Sequence, residues 1–317
     1  MSPTRRRAAA AGALSGVLLL ALAPVALAED TVLDEQAGEV TGLAADAGRK
    51  VYWSADRSSG VVRAFSADGT LAGQVSYGAK VVDVESTVFH DQRVWMGDVG
   101  DADESRETIS VYRIGDLGYG TTAQHRRYVL AYPDQPQDAK AMAVSRLGRI
   151  YVATRGTRPG LYRTGEPVSG GPTNRMERVA DLPDNTTDMV FTADGTRLVV
   201  RTLTSLHVYE VDGWKQVASA QLPANAQGQA VSPALAGSQL VVTGGKPTTL
   251  AQVALPTSLA SVAPAPASPT PTAASPSPSS AAEQARGGAA ANTGTKLALA
   301  AAALISLAAA AVVVVKR

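Results

Sequence analysis

The feature that most constrains the fold of this chain is a short apolar segment that recurs five times in the middle of the sequence. The centres of successive copies lie 43, 56, 48 and 42 residues apart, and polar turn residues precede each copy. The copies are Val51-Tyr52-Trp53, Val94-Trp95-Met96, Ile150-Tyr151-Val152, Leu198-Val199-Val200 and Leu240-Val241-Val242. A period of this length accommodates a small antiparallel sheet, because strands are short and tight turns join them.

Further strand-like runs flank each copy at regular positions. A half-apolar run precedes each copy, at residues 41–45, 84–89, 141–144, 189–191 and 230–235. Another run follows each copy, at residues 61–65, 109–114, 160–163, 206–211 and 250–254. A more polar fourth run completes four units, at residues 71–77, 126–131, 176–182 and 214–222. Four antiparallel strands repeating about every 45 residues are typical of a β-propeller blade.

The fifth unit has no fourth run of its own, because Pro256 ends the β-rich part of the chain. We expect residues 31–36 to supply the missing strand, which would close the ring and remove a sheet edge. The sequence therefore predicts an all-β fold, a β-propeller of five four-stranded blades. A six-bladed ring, with the long second unit divided in two, and a β-sandwich with accidental spacing are the alternatives.

Residues 1–28 have the three parts of an export signal. Three arginines at residues 5–7 form the basic start, an apolar run covers residues 8–25, and Ala-Leu-Ala at residues 26–28 provides the cleavage pattern. The β-rich ectodomain, residues 29–256, is thus expected outside the cytoplasm. An uncleaved membrane helix is the alternative.

The other end of the chain predicts a membrane anchor. Residues 297–315 carry no charge and would span about 28 Å as a helix, close to the hydrocarbon thickness of a bilayer. The Lys-Arg pair at residues 316–317 is expected to remain in the cytoplasm. Residues 257–296, which are dominated by Ala, Pro, Ser and Thr, are expected to form a disordered stalk.

A pentapeptide before this apolar run resembles the wall-sorting signal of Gram-positive bacteria, which reads Leu-Pro-x-Thr-Gly or Leu-Ala-x-Thr-Gly. Here it reads Ala290-Ala291-Asn292-Thr293-Gly294, so that alanine replaces the leading leucine. We expect the chain to be a single-pass protein on the outer face of the cell membrane. Attachment to the cell wall by a sortase acting at Thr293 and Gly294, and a tail that does neither, are the alternatives.

Charge and composition exclude several classes of protein. Residues 29–256 carry 22 basic and 27 acidic side chains, a net charge of −5, which argues against a nucleic-acid partner. The absence of cysteine excludes disulfides, cysteine-ligated metals and a cysteine nucleophile. His90, His125 and His207 lack the spacing of a metal site, and the ectodomain has no phosphate-binding or nucleophile-elbow motif.

Residues 39–244 carry a series of short motifs in a fixed order. They are Glu39-Val40-Thr41-Gly42-Leu43, Asp83-Val84-Glu85, Gly97-Asp98-Val99-Gly100-Asp101 with Arg106, Val111-Tyr112-Arg113, Tyr132-Pro133-Asp134 with Asp138, and Ala193-Asp194-Gly195 with Val200-Arg201-Thr202. Together they resemble a family of secreted actinobacterial β-propeller proteins, akin to gluconolactonase-like and phytase-like propellers. The resemblance implies a propeller fold and an extracellular location.

The resemblance also implies a ring of acidic residues at the central channel, where the innermost strands begin. The counterparts here are Glu39, Asp83, Glu85, Asp138 and Asp188, with Lys140 and Gln229 in place of two glutamates of the family pattern. Converging carboxylates suit Ca²⁺, and the candidate ligands are Glu39, Glu85, Asp138 and Asp188. Alternatively, ion pairs with Lys140 and hydrogen bonds from backbone amides neutralise the ring.

A second acidic cluster lies on one loop of the second unit. Asp98, Asp101 and Asp103 have a spacing similar to that of calcium-binding loops, although the full loop motif is missing. This loop is the second candidate calcium site. Local pairing of one of these acids with Arg106 is the alternative.

Two functions of different classes remain open. The first, favoured because Lys140 and Gln229 interrupt the acidic pattern, is a non-enzymatic binding or scaffold module with a ligand in the cell wall or at the cell surface. The second is a calcium-dependent hydrolase of a lactone, ester or phosphoester, in which the ion polarises the substrate oxygen and activates water. Carboxylates that converge on one point would favour the hydrolase, whereas Lys140 projecting into that point would remove its site. A purely structural wall protein differs from the first function only in lacking a ligand.

Overall fold

The computed structural model describes residues 30–259, and almost all of the regular secondary structure in this part of the chain is β-strand. Two short 3-10 turns, Glu35–Ala37 and Ala224–Ala226, are the exceptions within the described residues. No helix between residues 30 and 259 is long and apolar enough to cross a bilayer. The predicted export signal, the sorting motif with Thr293 and Gly294, and the apolar run at residues 297–315 lie outside the described residues.

The strands form five consecutive groups, preceded by a short strand β1 (Thr31–Val32). The first group comprises β2 (Ala44–Asp46), β3 (Val51–Ala55), β4 (Val61–Ser66) and β5 (Leu71–Ser76). The second comprises β6 (Val84–His90), β7 (Arg93–Asp98), β8 (Ile109–Ile114) and β9 (His125–Ala131). The third comprises β10 (Ala139–Val144), β11 (Ile150–Thr154), β12 (Gly160–Thr164) and β13 (Asn174–Asp181). The fourth comprises β14 (Thr186–Phe191), β15 (Arg197–Thr202), β16 (Ser205–Glu210) and β17 (Gln216–Gln221), and the fifth β18 (Val231–Pro233), β19 (Leu240–Gly244) and β20 (Thr249–Val253).

Within each group the strands are antiparallel neighbours in chain order. The second and third groups are joined at their outer edges into one eight-stranded sheet, because β9 and β13 make a short parallel contact. The second strand of each group is buried along most or all of its length, since neighbouring groups cover both of its faces. This explains why the repeated segments are continuously apolar instead of alternating with polar residues.

The last sheet is completed by the first strand of the described chain. Thr31 pairs with Leu250 and Val32 pairs with Thr249, so that β1 lies beside β20. The prediction of a closing strand at residues 31–36 was too long. Strand β1 stops at Val32, because the Asp34 carboxylate accepts a hydrogen bond from the backbone N–H of Gln36 at 2.9 Å and begins a 3-10 turn.

The groups are arranged as a β-propeller. The innermost strands β2, β6, β10, β14 and β18 each contact the next one, and β18 also contacts β2. Apolar clusters fill the spaces between consecutive groups, and the last of them joins the fifth group to the first. Each cluster combines buried side chains of two neighbouring groups, for example Trp53 and Met96, Trp95 and Tyr162, Tyr151 and Leu198, Val208 and Val242, and Phe65 and Val241. The all-β prediction is confirmed.

Candidate functional site

Charged side chains gather where the innermost strands β6 and β10 begin. The guanidinium group of Arg57, in the turn after β3, lies at the centre of this cluster. It donates to the Asp83 carboxylate from Nε at 2.6 Å and from Nη2 at 3.3 Å. It also donates to Glu39 from Nη1 at 3.3 Å, and to Glu85 from Nη2. We call Glu39, Arg57, Asp83, Glu85 and Lys140 the inner charge cluster.

Lys140 is the second cation of the inner charge cluster. Its Nζ atom donates to the carboxylate of Glu85 and lies 4.0 Å from Oδ2 of Asp83. The Glu85 side chain is 1% exposed and that of Lys140 is 11% exposed, so this contact is shielded from water. Glu85 therefore has two cationic partners, Arg57 and Lys140.

Burial and charge act in opposite directions on the two acids of this cluster. Burial raises the pKa of Glu85 to about 7, and the nearby Asp83 carboxylate adds to that effect, while Lys140 and Arg57 oppose it. Burial also acts to raise the pKa of Asp83, but the hydrogen bonds and charge of Arg57 outweigh it and lower that pKa. The same contacts raise the pKa of Arg57.

A second arginine holds the next acid along the ring. Arg155, directly after β11, donates from Nε to Oδ2 of Asp138 at 2.5 Å. The other carboxylate oxygen of Asp138 accepts from the backbone N–H of Asp101 at 2.9 Å. The Arg155 side chain is 44% exposed, and its terminal nitrogens donate to no residue between 30 and 259. It therefore presents free donors to solvent.

Hydrogen bonds and an ion pair between its own residues stabilise the loop after β7. The Asp101 carboxylate accepts from the backbone N–H groups of Ser105 at 3.1 Å and of Arg106 at 2.8 Å. The Arg106 side chain donates to the Asp98 carboxylate at 3.0 Å. Asp103 is exposed and forms no ion pair with a described residue. The sequence-predicted calcium loop is thus organised by arginine and backbone donors.

Asp188 and Gln229, two further residues of the predicted ring, have different hydrogen-bond partners. Asp188 is buried and caps the backbone N–H groups of Met189 and Val231, each at 2.9 Å. Burial raises its pKa well above the ordinary value. Gln229 donates from its side-chain amide to the Glu39 carboxylate at 2.7 Å, which connects it to the inner charge cluster.

The oxygen atoms of the ring carboxylates already accept hydrogen bonds from cationic side chains and backbone amides. Calcium requires six to eight oxygen ligands around one point, whereas the carboxylates here accept from Arg57, Lys140, Arg155 and backbone amides. Among residues 30–259, no three acidic or histidine side chains are grouped so that they could hold a metal ion. The structure therefore does not assemble Glu39, Glu85, Asp138 and Asp188 into one coordination sphere.

A groove of about 660 Å³ adjoins the cluster. The segment of residues 33–40 forms one wall, and the loops at residues 227–229 and 243–248 form the other. Glu39 and Gln229 line the groove as well as the ring, so the two are continuous. The other polar lining residues are Asp34, Glu35, Gln227, Thr243, Lys246 and Thr248.

A buried arginine supports the wall of this groove. Arg201, in β15, donates from Nη2 to the carbonyl oxygens of Ala226 at 2.8 Å and Thr243 at 2.6 Å, and from Nη1 to that of Ala230. Burial lowers its pKa to about 10. Thr243 lines the groove, so Arg201 fixes the spacing of the two loops.

Arg57 and Arg155 are two residues of the ring that no sequence motif indicated. Both follow the second strand of their group, β3 or β11, within two residues. That shared position is a signal that a comparison of the units would have revealed. Arg201 was noted as part of a motif, but a lone arginine inside a strand gives no indication of three carbonyl partners.

Several solved structures are similar to this chain. A gluconolactonase from Xanthomonas campestris has a TM-score of 0.42 and 18% identity over 67% of this chain and 71% of that chain. A streptogramin B lyase has a TM-score of 0.43 and 10% identity over 71% and 69% of the two chains. A luciferin-regenerating enzyme has a TM-score of 0.45 and 8% identity over 71% and 76%.

No protein-family model matches the sequence. No curated protein matches it either.

Proposed function

We propose that this chain is an extracellular binding module whose ligand lies in the groove beside the inner charge cluster. The observation that carries the proposal is the continuity of a groove of about 660 Å³ with the Glu39–Gln229 contact at the ring. Glu39 is the member of the inner charge cluster that lines the groove, and hydrogen bonds from Arg57 and Gln229 orient its carboxylate. A concave site with a few convergent polar groups is the usual form of a ligand site.

The lining of the groove favours a hydroxyl-rich ligand such as a saccharide of the cell wall. Glu35 provides carboxylate acceptors, whereas Gln227 and Lys246 provide donors. Leu203, which is 48% exposed, supplies an apolar surface. Hydroxyl groups both donate and accept hydrogen bonds, and they match this mixed lining better than a purely charged ligand does.

The proposal includes the finer architecture. The five groups would be five blades of one propeller, with β1 completing the last blade beside β20, as the contact between β18 and β2 supports. Residues 1–28 would direct export, and the C-terminal part of the chain would hold the domain at the cell surface. The propeller would share the architecture of gluconolactonase-like propellers but would not catalyse their reaction.

Binding of cell-wall saccharide can be tested by co-sedimentation of the full-length chain with purified peptidoglycan. We expect the wild-type chain to sediment, and Leu203→Trp to sediment much less, because the indole fills the groove. Leu147→Trp is the matched control, since Leu147 is 75% exposed and does not line the groove. A wild-type chain that stays in solution, or equal sedimentation of the two variants, would refute the proposal.

The alternative, a calcium-dependent hydrolase, requires one ion shared by Glu39, Glu85, Asp138 and Asp188. We expect the full-length chain to show the same melting temperature in EDTA and in millimolar Ca²⁺, and no turnover of a lactone, an ester or a phosphoester. A bound ion at about 100 times its dissociation constant would add about 2.7 kcal/mol of stability. A calcium-dependent rise together with turnover, both lost in Glu85→Gln, would establish the hydrolase instead.

The proposed location has its own test. Protease added to intact cells that express the full-length chain should remove the propeller without cell lysis. In cells that have not been treated with protease, detergent should release a membrane-anchored chain, whereas only wall digestion should release a sortase-linked chain. A chain protected from external protease would contradict the extracellular location.

A further inference from the structure

Two arginines stand directly opposite each other on β8 and β9 of the second group. Arg113 pairs with Arg126 in the antiparallel register, and Trp95 on β7 pairs with Arg113. The three side chains form one rung across the sheet and project from the same face. Tyr128 lies two residues along β9 and shares that face. Like charges placed directly opposite on neighbouring strands destabilise a sheet.

Aromatic rings hold both guanidinium groups in place. The ring centroids of Trp95 and Tyr128 are 5.4 Å apart and their planes differ by 18°, so the rings stack. The guanidinium carbon of Arg113 lies 5.2 Å from the Trp95 centroid and 5.7 Å from that of Tyr128. That of Arg126 lies 5.6 Å from the Tyr128 centroid. Cation–π contacts of this kind orient the cations without neutralising their charge.

Backbone packing restricts Arg126 further. A Cβ atom added to Gly170 would lie 2.3 Å from Nε of Arg126, so the loop that contains Gly170 rests directly against the guanidinium group. Arg113 is half-buried and Arg126 is exposed. The pair is therefore preorganised and also open to solvent.

Neither cation has an acidic partner in the described part of the chain. The side chains of Arg113 and Arg126 form no ion pair and donate no hydrogen bond to any residue between 30 and 259. Arg93, on the same face of β7, differs because the Asp91 carboxylate pairs with it. The free N–H donors of two adjacent guanidinium groups match the oxygen atoms of a phosphate group, which arginine binds through paired hydrogen bonds.

We propose that Arg113 and Arg126, held on the stacked rings of Trp95 and Tyr128, form a binding site for a phosphate group. The bound oxyanion neutralises the repulsion between the two cations, which supplies a driving force that a single arginine lacks. The site lies on the outer strands of the second group, and it is independent of the groove and of the proposed saccharide ligand. The phosphate is either free in solution or carried by an anionic polymer.

The test measures phosphate binding by the full-length chain, with inorganic phosphate and with linear polyphosphate as probes. Saturating ligand should raise the wild-type melting temperature by several degrees and change the tryptophan fluorescence, because Trp95 lies in the site. Arg126→Gln should weaken binding about tenfold or more, since it removes a charged hydrogen-bonding group. Arg158→Gln, at an exposed arginine without ring contacts, should bind as the wild type does.

A stability measurement separates binding from a structural role. Without phosphate, Arg126→Gln should melt at the wild-type temperature or above it, because the substitution relieves repulsion with Arg113. Binding of both probes identifies a site for the phosphate group itself, and binding of polyphosphate alone identifies a polymer site. If the wild-type chain responds to neither probe, or if Arg126→Gln binds as tightly as the wild type, the proposal is wrong.

Discussion

The Nζ atom of Lys140 donates a hydrogen bond to the carboxylate of Glu85, which is almost completely buried. Removing Lys140 leaves the Glu85 carboxylate with Arg57 as its remaining cationic partner among the described residues, so the buried charge is less well compensated. We expect Lys140→Met to lower the free energy of unfolding by about 1 to 3 kcal/mol at pH 8. Urea denaturation of the full-length chain measures this loss.

The control for Lys140→Met is Lys215→Met, because Lys215 is exposed and forms no ion pair with a described residue. The effect of Lys140→Met should be smaller at pH 5, where Glu85 binds a proton. Combining Lys140→Met with Glu85→Gln should cost less than the sum of the two single changes, since the two side chains are in contact. If Lys140→Met and Lys215→Met lower the free energy of unfolding equally, the contact between Lys140 and Glu85 does not stabilise the domain.

The pKa of Glu85 predicts a specific dependence of stability on pH. Burial raises this pKa from 4.5 to about 7, against the effect of Lys140 and Arg57. The folded chain therefore binds the proton more tightly than the unfolded chain does. The contribution of Glu85 to stability is complete below pH 4.5 and is lost as the pH rises to about 7.

We expect the wild-type chain to lose stability relative to Glu85→Gln between these pH values, by on the order of 3 kcal/mol. Denaturant unfolding of both proteins at pH 4.5, 6 and 8 measures the difference. Other titrating groups, such as His90 and His207, are common to both proteins, so their contributions cancel in the difference of unfolding free energies. Parallel pH profiles for the two proteins would show that Glu85 does not titrate in this range.

Arg201 should be among the most sensitive positions in the chain. Replacement by methionine removes the side-chain donor of the buried carbonyl oxygens of Ala226 and Thr243, whereas that of Ala230 still accepts from the backbone N–H of Thr243 at 3.0 Å. We expect a loss of about 3 to 5 kcal/mol in denaturant unfolding. Arg201→Lys should lose less, because it keeps the charge, yet one ammonium group cannot match the fork of a guanidinium.

The control variant for Arg201→Met is Arg158→Met, because Arg158 is exposed. Surface substitutions of this kind change stability by about 0.5 kcal/mol or less. An Arg201→Met protein that is as stable as Arg158→Met would show that the three carbonyl contacts contribute nothing.

The closing strand can be probed at Gly69. Gly69 has a φ of 83°, and a Cβ atom there would lie 2.1 Å from the backbone oxygen of Val32 in β1. Gly237 has a similar φ of 80° but no atom within 4 Å of that Cβ position. Alanine at either site meets the same backbone strain, so the difference between them reports the contact with β1.

We expect Gly69→Ala to lower the melting temperature by several degrees more than Gly237→Ala does. Limited proteolysis should also cut residues 30–34 faster in Gly69→Ala, because displaced backbone is easier to cleave. Indistinguishable melting temperatures and cleavage rates would argue that β1 contributes little to the domain.

The strands could be predicted from the sequence because each repeat combines a local pattern with local turns. Val51-Tyr52-Trp53 and Leu198-Val199-Val200, for example, lie in β3 and β15. Their continuous apolar character follows from burial on both faces, and a polar turn precedes each of them. The end of β1 could not be placed as well, because the Asp34 hydrogen bond that starts a 3-10 turn competes with strand pairing.

The inner charge cluster could be predicted only in part. Glu39, Asp83, Glu85 and Lys140 were named from a resemblance, and their convergence with Gln229 was expected. The main cationic partner of the three acids is Arg57. It lies in a turn, where residues follow no regular spacing, so no pattern in the sequence identifies it. Long-range pairs such as Arg57 with Glu85 depend on how the groups pack side by side, which local sequence does not encode.

The pairing of Thr31 with Leu250 also has a mechanical consequence. Strand β20 is hydrogen-bonded to β19 on one side and to β1 on the other. A pulling force applied to the chain beyond residue 253 therefore acts on a strand that is hydrogen-bonded to a neighbour on each side. Peeling β20 away requires rupture of both ladders, so the point at which a pulling force enters the domain is reinforced by its first strand.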